Sequence, residues 1–292
     1  MFKRFSLVGF LMFSAIFSAQ KVENFKLKPY RITVLNDSIK ETSGLSFFEN
    51  KLYTFNDSGN PSQLYEIDKN SGKILQTLKI KAENKDWEAL TNDGKNFYIG
   101  DFGNNAGTRE DLKILKIPFE NFQLKNDSLQ TISFYYPEQK DFTPKNLSTD
   151  FDLEAMLYLN GKLHLFTKEW ASKSTTHYIL DSNNFDKQAA EKVETFDTGF
   201  VVTDSYYFYK KLYLVGYTKK TEVYLMIFNE SEPGIFFKQT PRKLYLGSAL
   251  TVGQIEGIAV DESGIYISGE AFHSPIKNTP AYLYFVPANA LQ

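Results

Sequence analysis

The chain has 292 residues with 42% hydrophobic content, enough for one large domain with a sizeable core. Lysine plus arginine (33) nearly balances aspartate plus glutamate (35), so no net field favours nucleic acid or an anionic membrane surface. Cysteine is absent, which excludes disulfides, thiol catalysis, thiolate metal sites and lipidation of a cysteine.

Residues 1–19 place Lys3 and Arg4 before an apolar run from Phe5 to Phe17 and end in small residues near Ala19. That is the three-part form of a secretory signal, too short to span a bilayer, where about 20 residues are needed. The expectation is an exported protein (periplasmic, cell-surface or extracellular) with no stable membrane insertion, whose residues 20–292 form a single domain. A first alternating segment, YRITVLND, follows near the mature N-terminus.

From Glu41 onward one pattern recurs five times: a polar or acidic residue, an apolar run, a turn, then a second apolar run carrying Tyr or Phe. The copies are ETSGLSFFENKLYTFNDSG, DWEALTNDGKNFYIGDFGNN, FDLEAMLYLNGKLHLFTKE, TDSYYFYKKLYLVGYTKK and QIEGIAVDESGIYISGEAF. Their turns, among them Asn92-Asp93-Gly94, Asn160-Gly161 and Lys210-Lys211, are polar or glycine-bearing, as hairpins require. A third alternating run follows each hairpin and a fourth follows most. The 26 Phe and 18 Tyr suit half-buried strands. Four strands per repeat predict an all-β chain, a β-propeller of four-stranded blades. Five blades are counted, and a sixth could lie between Asp86 and Phe151, around DFTPKNLSTD (141–150). The last repeat lacks a fourth strand, which YRITVLND can supply, closing the ring without a free sheet edge.

In a hairpin, the residue opening the first strand meets the residue closing the second. Glu88 is therefore expected beside Asp101, Glu41 beside Asp57, Glu154 beside Lys168, Asp204 beside Tyr217, and Glu256 beside Glu270. If each first strand lines the channel, Glu41, Glu88, Glu154, Asp204 and Glu256 converge on the axis. Two unit charges ~4 Å apart repel by about 4 kcal/mol at an effective dielectric near 20, so the set needs a cation, Lys168 or Arg109 nearby, or bound protons. Carboxylates with the amides of Asn56, Asn104 or Asn105 suit Ca²⁺, whereas three dispersed histidines argue against zinc or copper. His273 is placed at the mouth just past Glu270, and Trp87 and Trp170 could stack on a ring. A carboxylate at a strand start can also simply cap a turn; its recurrence in nearly every blade favours a site.

Asn-Asp-Ser-Gly (56–59), Asp-Trp-Glu-Ala-Leu (86–90), Gly-Asp-Phe-Gly-Asn-Asn (100–105), Ile-Glu-Gly-Ile-Ala (255–259) and Ser-Gly-Glu (268–270) resemble elements of a family of exported bacterial β-propellers. The last two are similar to elements of SdiA-regulated and phytase-like esterase propellers. Leu52-Tyr53-Thr54-Phe55 stands where that family usually carries Trp. The wider propeller group includes gluconolactonase-type enzymes that hold axial calcium, which the resemblance extends to Glu41, Glu88 and Glu256. Two functions follow as expectations. One is a monomeric module binding a small molecule, glycan or protein at a calcium-bearing acidic mouth; the other is a calcium-dependent hydrolase of esters, lactones or phosphate esters, with Glu88 or Asp101 as base.

Overall fold

A computed structural model describes residues 21–275 and 277–291; the expected leader lies outside them. Among the described residues no helix is long and apolar enough to cross a membrane.

The strands form five antiparallel four-stranded blades. Blade 1 runs through Thr42–Phe48, Lys51–Asn56, Gln63–Ile67 and Ile74–Lys79, and blade 2 through Trp87–Asn92, Asn96–Asp101, Lys113–Glu120 and Gln130–Tyr135. Blade 3 comprises Asp152–Leu159, Lys162–Lys168, Thr175–Asp181 and Glu191–Phe196, and blade 4 Val201–Phe208, Lys211–Tyr217, Glu222–Asn229 and Arg242–Ser248. Blade 5 holds Gln254–Asp261, Gly264–Glu270 and Tyr282–Pro287, and its fourth strand is Arg31–Val34, paired antiparallel with Tyr282–Pro287. The ring therefore closes through the N-terminal segment, as the unclaimed YRITVLND run implies.

Among the described residues there is no sixth blade. Residues 141–150 form an irregular connector whose backbone is tied down by Lys145 N–H donating to Ala106 and Leu147 N–H to Asn105. It lays Asn146 and Leu147 along the mouth.

Apolar side chains gather in five separate clusters, each between neighbouring blades. Trp87, Phe55 and Phe97 fill the seam of blades 1 and 2, while Phe166, Phe200 and Phe228 fill that of blades 3 and 4. Large aromatics suit this task because wedge-shaped seams widen outward and need bulk. Two of the outer edges are covered too. Val22–Asn24 pairs parallel with blade 4, where Glu23 chelates Arg242 at 2.8–3.0 Å, and Gln188–Ala189 pairs parallel with blade 2. At those two blades the edge that could recruit another chain is occupied.

The hairpin tips adopt positive φ. Asn160 and Gly161 do so as their types favour, but so do Glu49-Asn50 and Tyr209-Lys210, so the blade 4 turn lies one residue before the expected Lys210-Lys211.

One device recurs that sequence spacing does not disclose. In every blade the inner hairpin carries a β-bulge near its start, and the extra residues are Gly44, Glu88, Glu154, Thr203 and Glu256. A bulge bends its strand and re-aims a side chain. Three of the five bulge residues are glutamates.

Candidate functional site

The three bulge glutamates open into one cavity of about 570 Å³ at the mouth of the ring. Its walls include Asp57, Glu88, Glu154, Glu256 and Glu270 together with Lys168, Trp170, Tyr217 and Lys219. Glu88, Glu154 and Glu256 are at most 5% exposed.

On the side of blades 1 and 2, oxygens of Asp57, Asp86 and Glu88 all lie within 4.8 Å of one another. Asp57 follows the second strand of blade 1, and Asp86 immediately precedes the first strand of blade 2, so the blade seam brings them together. Burial pushes Asp57 up to about 6, with Asp86 and Glu256 adding to the rise. Burial likewise raises Asp86, and it raises Glu88 well above the carboxylate range, followed by repulsion from Asp57 and Glu154. Asp57 accepts from Ser58 N–H. No hydrogen bond from the described residues reaches the Glu88 carboxylate. Gly103 fits against this cluster because a Cβ there would stand 2.5 Å from both Asp86 Oδ2 and Glu88 Oε1. The Gly-Asp-Phe-Gly-Asn-Asn element thus supplies the close backbone approach that lets two carboxylates face inward.

Across the cavity Lys168 forms a buried ion pair with Glu154. Burial works to discharge Lys168, yet Glu154, Tyr217 and Glu256 hold its pKa well above the lysine range. Its ammonium stands 5.0 Å from the Trp170 ring centre and 5.2 Å from that of Tyr217. Glu154 and Glu256 stand close enough to feel each other's charge, with Lys168 as their shared cation. Burial, the leading cause, raises both pKa values. Glu154 Oε2 and Glu256 Oε2 are among the buried oxygens that no hydrogen-bond donor of the described residues reaches. Gln254 Nε2 ties Glu256 to Glu270 at 2.7 and 2.6 Å.

Several residues singled out from the sequence lie elsewhere. Glu41 precedes the blade 1 strand, remains half-exposed on the rim and accepts from Asn60 Nδ2 at 2.6 Å; Gly44 holds the bulge in its place. Asp204 stands one residue past the blade 4 bulge, where Thr203 holds the equivalent position. It does lie among the inner strands, fully buried, but its oxygens accept the backbone N–H groups of Ser205, Leu45 and Ile258 at 2.8, 3.3 and 2.7 Å. Burial raises its pKa well above the usual range, against the pull of those N–H groups. It links blades 4, 1 and 5 as a plug rather than offering free oxygens.

Asp101 does not join Glu88 in the cavity wall. It is fully buried and paired with Arg109 Nη2 at 3.0 Å and Lys113 at 3.4 Å. Arg109 spends its remaining donors on Gly103 O and Asp111. Asn56 and Asn104 brace loops through Ser38 O and Phe151 O. Trp87 is core, with its indole N–H given to Glu83 O. His273 is exposed on a short two-stranded ribbon outside the cavity lining. His164 and His177, on the successive paired strands of blade 3, have ring nitrogens 2.8 Å apart, and Glu194 lies 3.2 Å beyond.

Asp86, Gly103, Tyr217 and Gln254 complete the mouth and were not among the expected site residues. Asp86 had a signal, since it opens the Asp-Trp-Glu element. Tyr217 closes the blade 4 hairpin and Gln254 opens that of blade 5 opposite Glu270.

No protein-family model and no curated protein matches the chain. Among solved structures it is similar to a β-1,3-galactosidase of glycoside hydrolase family 43, at 10% identity over 88% of this chain and 94% of that one, TM-score 0.50. It also aligns with Kuenenia stuttgartiensis hydrazine synthase, at 11% identity, 80% and 57% coverage and TM-score 0.42. A 6-phosphogluconolactonase candidate from Bacteroides uniformis aligns at 12%, 83% and 71% coverage and TM-score 0.38. The chain spans just over half of the hydrazine synthase chain. At such identities the likeness is one of fold, that of the β-propeller.

Proposed function

We propose that the chain is a ligand-binding propeller whose mouth takes a hard divalent cation, Ca²⁺ by preference, on Asp57, Asp86 and Glu88. The observation that carries this reading is the carboxylate of the buried Glu88, without a hydrogen-bond donor among the described residues and grouped with two further carboxylates. Oxygens up to 4.8 Å apart suit Ca²⁺, whose opposed ligands at about 2.4 Å each stand about 5 Å from one another. The resemblance to exported propellers extends calcium to Glu41, Glu88 and Glu256, and shares Glu88 with this site. Its Asn-Asp-Ser-Gly, Asp-Trp-Glu, Gly-Asp-Phe-Gly and Ser-Gly-Glu elements supply Asp57, Asp86, Glu88, Gly103 and Glu270. The basic-apolar-small leader supports export.

Thermal unfolding with and without Ca²⁺ tests the reading, and pH sharpens it. Asp57 is raised from its unfolded value to about 6, so its contribution to stability is present below pH ~4 and lost as pH rises through 6. Bound cation should offset that loss. Calcium at 100 times Kd should add about 2.7 kcal/mol, or several degrees of Tm, at pH 7.5. At pH 5, where protons compete, the gain should be much smaller, and Glu88→Gln should remove it. Equal melting curves in Ca²⁺ and chelator at pH 7.5 would sink the proposal.

A second reading, a hydrolase of esters, lactones or phosphate esters, is favoured by the buried carboxyls of Glu154 and Glu256, which line one cavity and are both shifted upward by burial, as an acid and base pair needs. Turnover across such a panel, lost in Glu256→Gln with the Tm preserved, would establish it.

A further inference from the structure

The cavity is divided by charge, and the division names a ligand class. Its carboxylates belong mainly to blades 1, 2 and 5. On the side of blades 3 and 4, three lysines surround one indole: Lys168, Lys219 and Lys173 stand 5.0, 5.6 and 5.9 Å from the Trp170 ring centre. Trp170 cannot swing away from them. It is 6% exposed, and its N–H is shared by Asn105 Oδ1 at 3.1 Å and Asp152 Oδ2 at 3.0 Å.

Lys168 is satisfied by Glu154. Lys219 and Lys173 have no carboxylate within 4.0 Å among the described residues; Lys219 donates to the Leu147 carbonyl at 2.9 Å. Burial lowers the Lys173 pKa, and repulsion from Lys219 adds to that, so the two ammonium groups feel each other. Like charges brought together beside a cavity, one of them lining it, form a receptor for negative charge. Asn146, Thr218 and Thr221 line the same side and add neutral polar groups.

We propose that the ligand of this mouth is a small molecule bearing an oxyanion, held with that oxyanion against Lys219 and Lys173 and its remainder over the acidic wall. The cavity volume of about 570 Å³ suits a single sugar-sized ring. This rests on the cation reading in one respect: a cation at Asp57, Asp86 and Glu88 screens the acids that would otherwise repel an anion.

Calorimetric titration of the full-length protein in Ca²⁺ with glucose 6-phosphate, glucuronate, inorganic phosphate and glucose tests it. A phosphate or a carboxylate sugar should bind, and glucose at least about tenfold more weakly, since a charge-assisted contact is absent. The pair of charged probes separates phosphate from carboxylate as the source of the oxyanion. Lys173→Gln/Lys219→Gln, both at the surface, should lose at least about tenfold for the charged probe while its Ca²⁺ titration stays unchanged. Charged probes binding no better than glucose, or unaffected by the double substitution, overturn the assignment. Charged-probe binding that depends on the lysines but not on Ca²⁺ upholds it and overturns the cation reading instead.

Discussion

Asp204→Ala should cost the fold about 3–5 kcal/mol, because it strands the N–H groups of Leu45, Ser205 and Ile258 inside the ring. Leu45 and Ile258 lie just beyond the bulge residues of blades 1 and 5, where the ladder is interrupted, so the plug repairs what the bulges break. In a chain of this size the loss corresponds to a Tm drop on the order of 10 °C. Asp204→Asn should fall between, since one amide oxygen replaces two acceptors and the NH₂ meets N–H groups. Calorimetry decides the matter. A loss below about 1 kcal/mol, equal to that of an exposed control such as Asp127→Ala, would falsify the role.

Lys168→Met should be comparably damaging, by about 3–5 kcal/mol, since it leaves Glu154 buried beside Glu256 and Glu88 without its cation. The pH dependence identifies the cause. Glu154 is already raised, and without Lys168 it rises further, so the variant should regain stability as pH falls and the carboxyl takes up a proton. Lys168→Met/Glu154→Gln should recover most of the loss at pH 7.5, because removing both charges removes the penalty of leaving one. A double-mutant cycle at two pH values measures the coupling directly. A coupling energy near zero would show that the pair is incidental.

The architecture was legible in the sequence because a hairpin must repeat to build a propeller, and polar turns between aromatic runs mark each copy. The closure was legible as a strand without a blade. The axial residues were legible only in part. Glu88, Glu154 and Glu256 align on their strands, but Glu41 lies three residues before the bulge of blade 1 and Asp204 one residue after that of blade 4. A bulge inserts one residue and shifts the face of everything near it, so counting positions from the strand start misplaces the side chain. Asp101 and Trp87 were misleading for another reason: each stands at the correct end of its hairpin, but one faces Arg109 and Lys113 and the other faces the seam. Nothing local in the sequence distinguishes those directions. The basic rim was invisible, since Lys173 and Lys219 come from different blades and meet only over Trp170.

The manner of closure sets an order of events. Blade 5 is complete only when residues 31–34 meet residues 282–284, a pairing across almost the whole chain, and such distant contacts form late. Asp57, Asp86 and Glu88 come instead from two adjacent blades near the start of the chain. A cation could thus be captured by a half-built ring, whereas the chamber for a ligand exists only once the two ends have met. Metal uptake would then report the beginning of assembly, and ligand uptake its end.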